Sequence, residues 1–182
     1  QNIDLMPTFL ELNNKKIPGE VQGKSLLSFL EKEESSNHTA LFGYWGGGVN
    51  LTDGKYTFFN YPENMSRSDP NQYNLMPTHL RQFFTLNELK TAKLSDPFPF
   101  TKGVPLLKIK NDEAGPAIGN ETGGKDDMKF EDTNTALYNI ENDPGQLENL
   151  VNSSEKNRLM KEMKRKMVEN DAPSEVLERF GF

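Results

Sequence analysis

Apolar positions come in short bursts along this chain, separated by long polar stretches. From Ile3 to Leu12 they recur at helical spacing. Leu5, Phe9 and Leu12 share a face, Asp4 stands where it can cap, and Pro7 is tolerable in the first turn. Asn13-Asn14 end that helix and Ile17-Pro18-Gly19 make a turn. A short second helix is predicted through Leu30.

The pattern then changes period. Thr39 to Trp45 reads as a strand broken by Gly46-Gly47-Gly48. Val49-Asn50-Leu51-Thr52 and Lys55 to Tyr61 flank Asp53-Gly54, the strongest short-range hairpin signal in the chain. Pro62 to Gln72 reads as a polar loop, and Leu86 to Leu94 as a helix. Asp96 to Pro105 holds three prolines and cannot form a central strand. Leu106 to Ile109 suits a short strand, and Asn111 to Asp132 an exposed Gly- and charge-rich loop.

Near the end, a short alternating strand around Leu137-Tyr138-Asn139-Ile140 runs into the turn Asn142-Asp143-Pro144-Gly145, with a helix start to follow. Ser153 or Ser154 caps the clearest helix, which runs to about Asn170. Leu159, Met160, Met163, Met167 and Val168 are assigned to its apolar face. Pro173 precedes a last helical turn to Phe180. The expected fold class is α+β: a small antiparallel sheet of about four strands, the C-terminal helix packed on one face, and long loops.

Composition narrows the function classes. The chain has 182 residues, 34% of them hydrophobic, which suits one domain or one and a small annex. Aromatics at 10% are too many for a disordered chain. The net charge of -6 repels phosphate backbones, so no nucleic-acid partner is expected. There is no cysteine, hence no disulfide, thiolate metal site or cysteine nucleophile. No apolar run is long enough to span a bilayer, so no membrane partner is expected. Asn-x-Ser/Thr sequons occur at Asn37, Asn50, Asn64, Asn120 and Asn152.

With two histidines, His38 and His79, a catalytic triad or zinc site is nearly excluded. Asp126-Asp127 lies in a Gly/Lys-rich stretch and reads as solvated. Trp45, beside three glycines, is a candidate stacking platform for a sugar, against the plainer role of a core or interface tryptophan. Lys102, in Phe100-Thr101-Lys102-Gly103, is a second binding candidate. The basic face of the last long helix is interrupted by Glu155, Glu162 and Glu169, which favours a solvated helix over a membrane-surface one.

Several segments carry a resemblance. Leu137-Tyr138-Asn139 followed by Asp143-Pro144 and Asn149-Leu150 resembles the Leu-Tyr-Asp-x-x-x-Asp-Pro-x-Glu-x-x-Asn-Leu signature near the carboxy end of type I sulfatases, in the alkaline phosphatase superfamily. Asp4-Leu5-Met6-Pro7-Thr8 and Gln22-Gly23-Lys24-Ser25-Leu26 are similar to that family's Asp-Leu-x-Pro-Thr and Gln-Gly-x-Ser-Leu, and the Asp53-Gly54-Lys55-Tyr56 hairpin and the tail around Pro173 to Phe180 also fit. Asn139 departs from the family's Asp. The resemblance implies a C-terminal portion of a sulfatase whose catalytic core is absent. Its parts are residues 1–30 leading in from that core, 39–110 with the hairpin and aromatic region, the loop 111–135, and the final strand and helices 136–182.

On that resemblance the parent is a sulfuric ester hydrolase using a formylglycine nucleophile and a divalent cation, calcium expected. The formylglycine motif Cys/Ser-x-Pro-x-Arg is not in this sequence, so no catalytic or metal residue is assigned and the segment would be inactive alone. The family's C-terminal subdomain lines one side of the substrate cleft. The resemblance therefore implies that His79 and Arg81 contact a sulfated carbohydrate or other sulfate ester. The implied partner is the chain's own N-terminal catalytic domain, with a homodimer through the exposed docking face as a consequence of its absence. The other reading of the same residues is a non-catalytic carbohydrate-binding or structural module.

Overall fold

In the computed structural model the described residues are 1–32, 39–43, 47–63, 71–76, 78–79, 83–110 and 134–182. They divide into two units, Gln1–Ala40 and Leu41–Phe182.

The first unit holds helices α1 (Leu5–Leu12) and α2 (Leu27–Lys32). Asp4 was expected to cap α1, but it makes no side-chain capping bond. Its carboxylate instead accepts the Lys24 backbone N–H at 2.8 Å. Thr8 Oγ1 likewise accepts the Leu26 N–H at 2.9 Å. A side chain at Gly23 would put its Cβ 2.0 Å from the Ile3 carbonyl oxygen, so only glycine fits this approach. The Leu5, Phe9 and Leu12 face is real but lies exposed, while Pro7 and Thr8 are buried. Asn13 ends the helix, its side chain donating to the Phe9 carbonyl at 2.8 Å.

The second unit contains the expected antiparallel sheet with the C-terminal helix on one face. Strands β1 (Ala40–Gly43), β2 (Val49–Thr52), β3 (Tyr56–Asn60) and β7 (Ala136–Asn139) lie in the order β1-β2-β3-β7. Gly54 turns the β2–β3 hairpin at φ 89. Asp53 fixes the turn by accepting the Lys55 and Tyr56 N–H groups at 3.1 and 2.7 Å. Register aligns Leu51 with Phe58 and Phe58 with Leu137. That row has no exposed surface and packs on Leu159, Met163 and Met167 of helix α4 (Ser154–Glu169). Phe180, just beyond helix α5 (Ser174–Arg179), closes the cluster. Each such side chain contributes about 1.5–3 kcal/mol on burial. Val168 does not share the face and is 54% exposed. At roughly 100° per residue, position 168 lies half a turn from Leu159.

The Asn-Asp-Pro-Gly turn does not lead straight into a helix. Residues 146–150 fold back along the outer edge of β7. Asn149 Oδ1 accepts the Leu137 N–H at 3.0 Å, and the Leu150 N–H donates to the Leu137 carbonyl at 2.7 Å. Asp143 accepts the Glu148 N–H at 2.8 Å, and Asn139 Oδ1 accepts the Glu141 and Asn142 N–H groups. Ser153 occupies the cap position of α4 without a side-chain capping bond.

A second, three-stranded sheet was not foreseen as such. It has the order β4-β6-β5, from β4 (Asn71–Asn74), β5 (Lys93–Leu94) and β6 (Leu107–Lys110). Asn71 and Gln72 therefore belong to a strand and not to the polar loop expected through Gln72. Helix α3 (Leu86–Thr91) stops three residues short of the expected Leu94. Ala92 turns to extended backbone, and Lys93-Leu94 pair with Lys108-Leu107. The remaining expected strand, β6, lies within one residue of its sequence assignment. Asp96 to Pro105 is irregular apart from one 3-10 turn at Pro99–Thr101. The loop expected over 111–132 lies outside the described residues.

Candidate functional site

The three-stranded sheet carries a polar cluster on each face, because successive residues of a strand point to opposite sides. On one face Gln72 points toward α3. Thr85 caps that helix, its Oγ1 accepting the Glu88 N–H at 3.2 Å, while the Glu88 carboxylate returns to accept the Thr85 N–H at 2.7 Å. The same carboxylate, 1% exposed, also receives Gln72 Nε2 at 3.2 Å and lies 2.9 and 3.1 Å from His79 Nε2. A carboxylate only accepts, so the imidazole proton in this contact sits on Nε2. Nδ1 makes no hydrogen bond among the described residues. Phe84 packs edge-on against the imidazole at 4.6 Å between ring centres. An isolated carboxylate at this depth would be strongly unfavourable, and three donors, from Thr85, Gln72 and His79, offset that.

On the other face, Glu175 Oε1 of α5 collects three donors. They are the Tyr73 hydroxyl, Lys108 Nζ at 2.6 Å and Asn71 Nδ2 at 3.1 Å. Burial pushes the Glu175 carboxyl up, but the bonds from Lys108 and Tyr73 outweigh it and hold it below the usual range. Burial together with Glu175 raises the Tyr73 phenol. Lys108 loses to burial and gains more from Glu175, ending above its ordinary value, and its ammonium sits 5.2 Å from the Tyr73 ring centre. Phe98 meets Tyr73 edge-on at 5.1 Å, and Phe100 stacks on Phe98 at 5.3 Å.

Of the sequence candidates, His79 is in the first cluster, its orientation set by Glu88. Lys102 follows Phe100 in a left-handed turn at φ 53, on the loop whose Phe98 packs against the opposite, Tyr73 face. Trp45 and Arg81 lie outside the described residues, as do His38 and Asp126-Asp127. Sequence reasoning passed over Glu88 and Glu175. The Thr85-x-x-Glu88 spacing is a capping-box signal that could have placed the first. No local signal marks Glu175, whose partners are about 70 to 100 residues away in sequence.

Among the sequons, Asn50 is 7% exposed within β2, and Asn152 is exposed just ahead of α4. The described residues hold no group of three or more His, Cys, Asp or Glu able to bind a metal ion. No described helix is long and apolar enough to cross a membrane. No family model matches the chain, and no curated protein matches it.

Proposed function

We propose that this chain is the C-terminal subdomain of a sulfatase-type hydrolase, which braces the catalytic domain and shapes one wall of its substrate cleft. The single observation that carries the reading is structural work by the motif residues themselves. Asp4, Thr8 and Gly23 join the two leading motifs to each other. Asn139, Asp143 and Asn149 fold the terminal signature against β7.

In this reading His79 contributes binding and not bond cleavage. Glu88 fixes the ring by Nε2 and leaves Nδ1 as an acceptor for a substrate hydroxyl. The substrate is a sulfate ester; the nucleophile and the divalent cation belong to the catalytic domain and are not supplied here. The isolated chain is expected to be inert.

The test is the coding sequence upstream of Gln1. A Cys/Ser-x-Pro-x-Arg motif with an Asp-Asp pair ahead of it supports the reading, and an unrelated domain there overturns it. In the joined protein, His79→Ala is expected to raise KM for a sulfate ester by about tenfold with little change in kcat, as loss of uniform binding does. An unchanged KM removes His79 from the cleft.

A further inference from the structure

Helix α5 touches both sheets, and by different means. Its Val176 and Leu177, with Phe180 just beyond it, pack into the apolar cluster formed by Leu51, Phe58, Leu137 and α4. Among the described residues that cluster draws no member from residues 71–110. Those residues bury side chains of their own, Phe84, Leu106, Ile109 and the Glu88 carboxylate. Glu175, in the first turn of α5, meets the three-stranded sheet instead. It bonds there to the Tyr73 hydroxyl, to Lys108 Nζ at 2.6 Å and to Asn71 Nδ2 at 3.1 Å. One helix thus grips the four-stranded sheet by apolar packing and the three-stranded sheet by a carboxylate.

The charges around that carboxylate make the second grip conditional. Lys108 and Tyr73 touch it. Lys93 pairs with Lys108 across the sheet, and Lys110 follows two residues after Lys108, so all three lysines share one side. On α5 itself Glu178 and Arg179 stand one turn further on. While Glu175 is ionised it balances Lys108. Once it is neutral, the ion pair is lost and Lys108 faces Lys93 uncompensated, and like charges directly opposite each other destabilise a sheet. Burial pushes the Glu175 carboxyl up, and the Lys108 and Tyr73 bonds pull it further down. It is therefore ionised at neutral pH and loses its charge in acid.

We infer that α5 is an acid-released clasp: when Glu175 is protonated, residues 71–110 loosen from α5 as one unit, while the four-stranded sheet and α4 stay packed. The apolar grip has no titrating group, so α5 keeps its seat on the first sheet. A segment with buried side chains of its own can open as a cooperative unit below the free energy of global unfolding. His79 travels with that unit, because Glu88 ties it to α3. Any consequence for a substrate rests on the hydrolytic reading of His79; the opening itself does not.

The test is amide hydrogen exchange read by mass spectrometry on the whole chain, as protection factors corrected for the intrinsic rate, at about pH 6.5 and about pH 3.5. In acid the amides of β4, α3, β5 and β6 are expected to lose about tenfold in protection or more, while β2, β3, β7 and α4 keep theirs. Glu175→Gln keeps the size and an acceptor oxygen but not the charge. It is expected to show the same local loss already at the higher pH, with no further drop in acid. Lys108→Met should match it, and the double variant should be no looser than either single one. Equal loss in both sheets, no loss in acid, or a drop in Glu175→Gln as steep as in the unaltered chain would each overturn the clasp, the last by placing the acid response at another carboxylate. The comparison of the two pH values needs no substitution, so it stands even where a variant fails to fold.

Discussion

The two sheets are held by different forces. The four-stranded sheet meets α4 through a dry row, Leu51, Phe58 and Leu137 against Leu159, Met163 and Met167. The three-stranded sheet buries Ile109 and Leu106 but depends on two carboxylates, Glu88 on one face and Glu175 on the other. Apolar burial is non-directional and tolerant, whereas a buried carboxylate demands its donors at set distances. The first sheet is thus specified by composition and the second by individual partners.

The sharpest way to break this contrast is a pair of substitutions of one residue type. Phe58→Ala should destabilise the protein by about 3–5 kcal/mol in urea unfolding, while Phe83→Ala, at 83% exposed, should leave the midpoint unchanged. Glu88→Ala comes next, on the order of 3 kcal/mol, because it strands His79 and Gln72 and removes half of the capping box. A loss under about 1 kcal/mol there would mean that the three-stranded sheet, too, is held mainly by its apolar contacts.

Glu175 sharpens the comparison through pH. Its folded-state pKa is depressed, so its stabilisation is present above the unfolded value and is lost as pH falls through the folded one. Stability should decline below about pH 4.5, the ordinary glutamate value. Glu175→Gln should flatten that decline, which acid titration of the urea midpoint would reveal. An equally steep decline in the variant would assign the acid sensitivity elsewhere. The smallest effect is expected from Arg158, which reaches Asp53 at 2.7 Å while half exposed. Arg158→Ala should cost at most about 1 kcal/mol, less in high salt; a larger salt-independent loss would make that pair part of the core.

Legibility followed the same division. The Asp53-Gly54 hairpin, the last long helix and the α+β class could be read from turn chemistry and periodicity, because those signals are local. Strand β4, Asn71-Gln72-Tyr73-Asn74, has almost no strand-forming composition and exists because β6 pairs with it. Leu94 looked helical until a partner strand claimed it. At the candidate site, His79 stood out by rarity, but its orienting partner did not, and nothing near Glu175 in sequence hints at Tyr73 or Lys108. Asp4 was read as a cap because its own helix is the nearest customer for its carboxylate; the chain instead offered Lys24.

The return of residues 146–150 along β7 bears on behaviour in concentrated solution. An outermost strand with free N–H and C=O groups is a template on which a second molecule can add its own strand. Here Asn149 and Leu150 occupy those groups at Leu137. The signature thereby keeps this edge from recruiting neighbours, a safeguard against fibrous self-association that thermal denaturation of the isolated protein would never register.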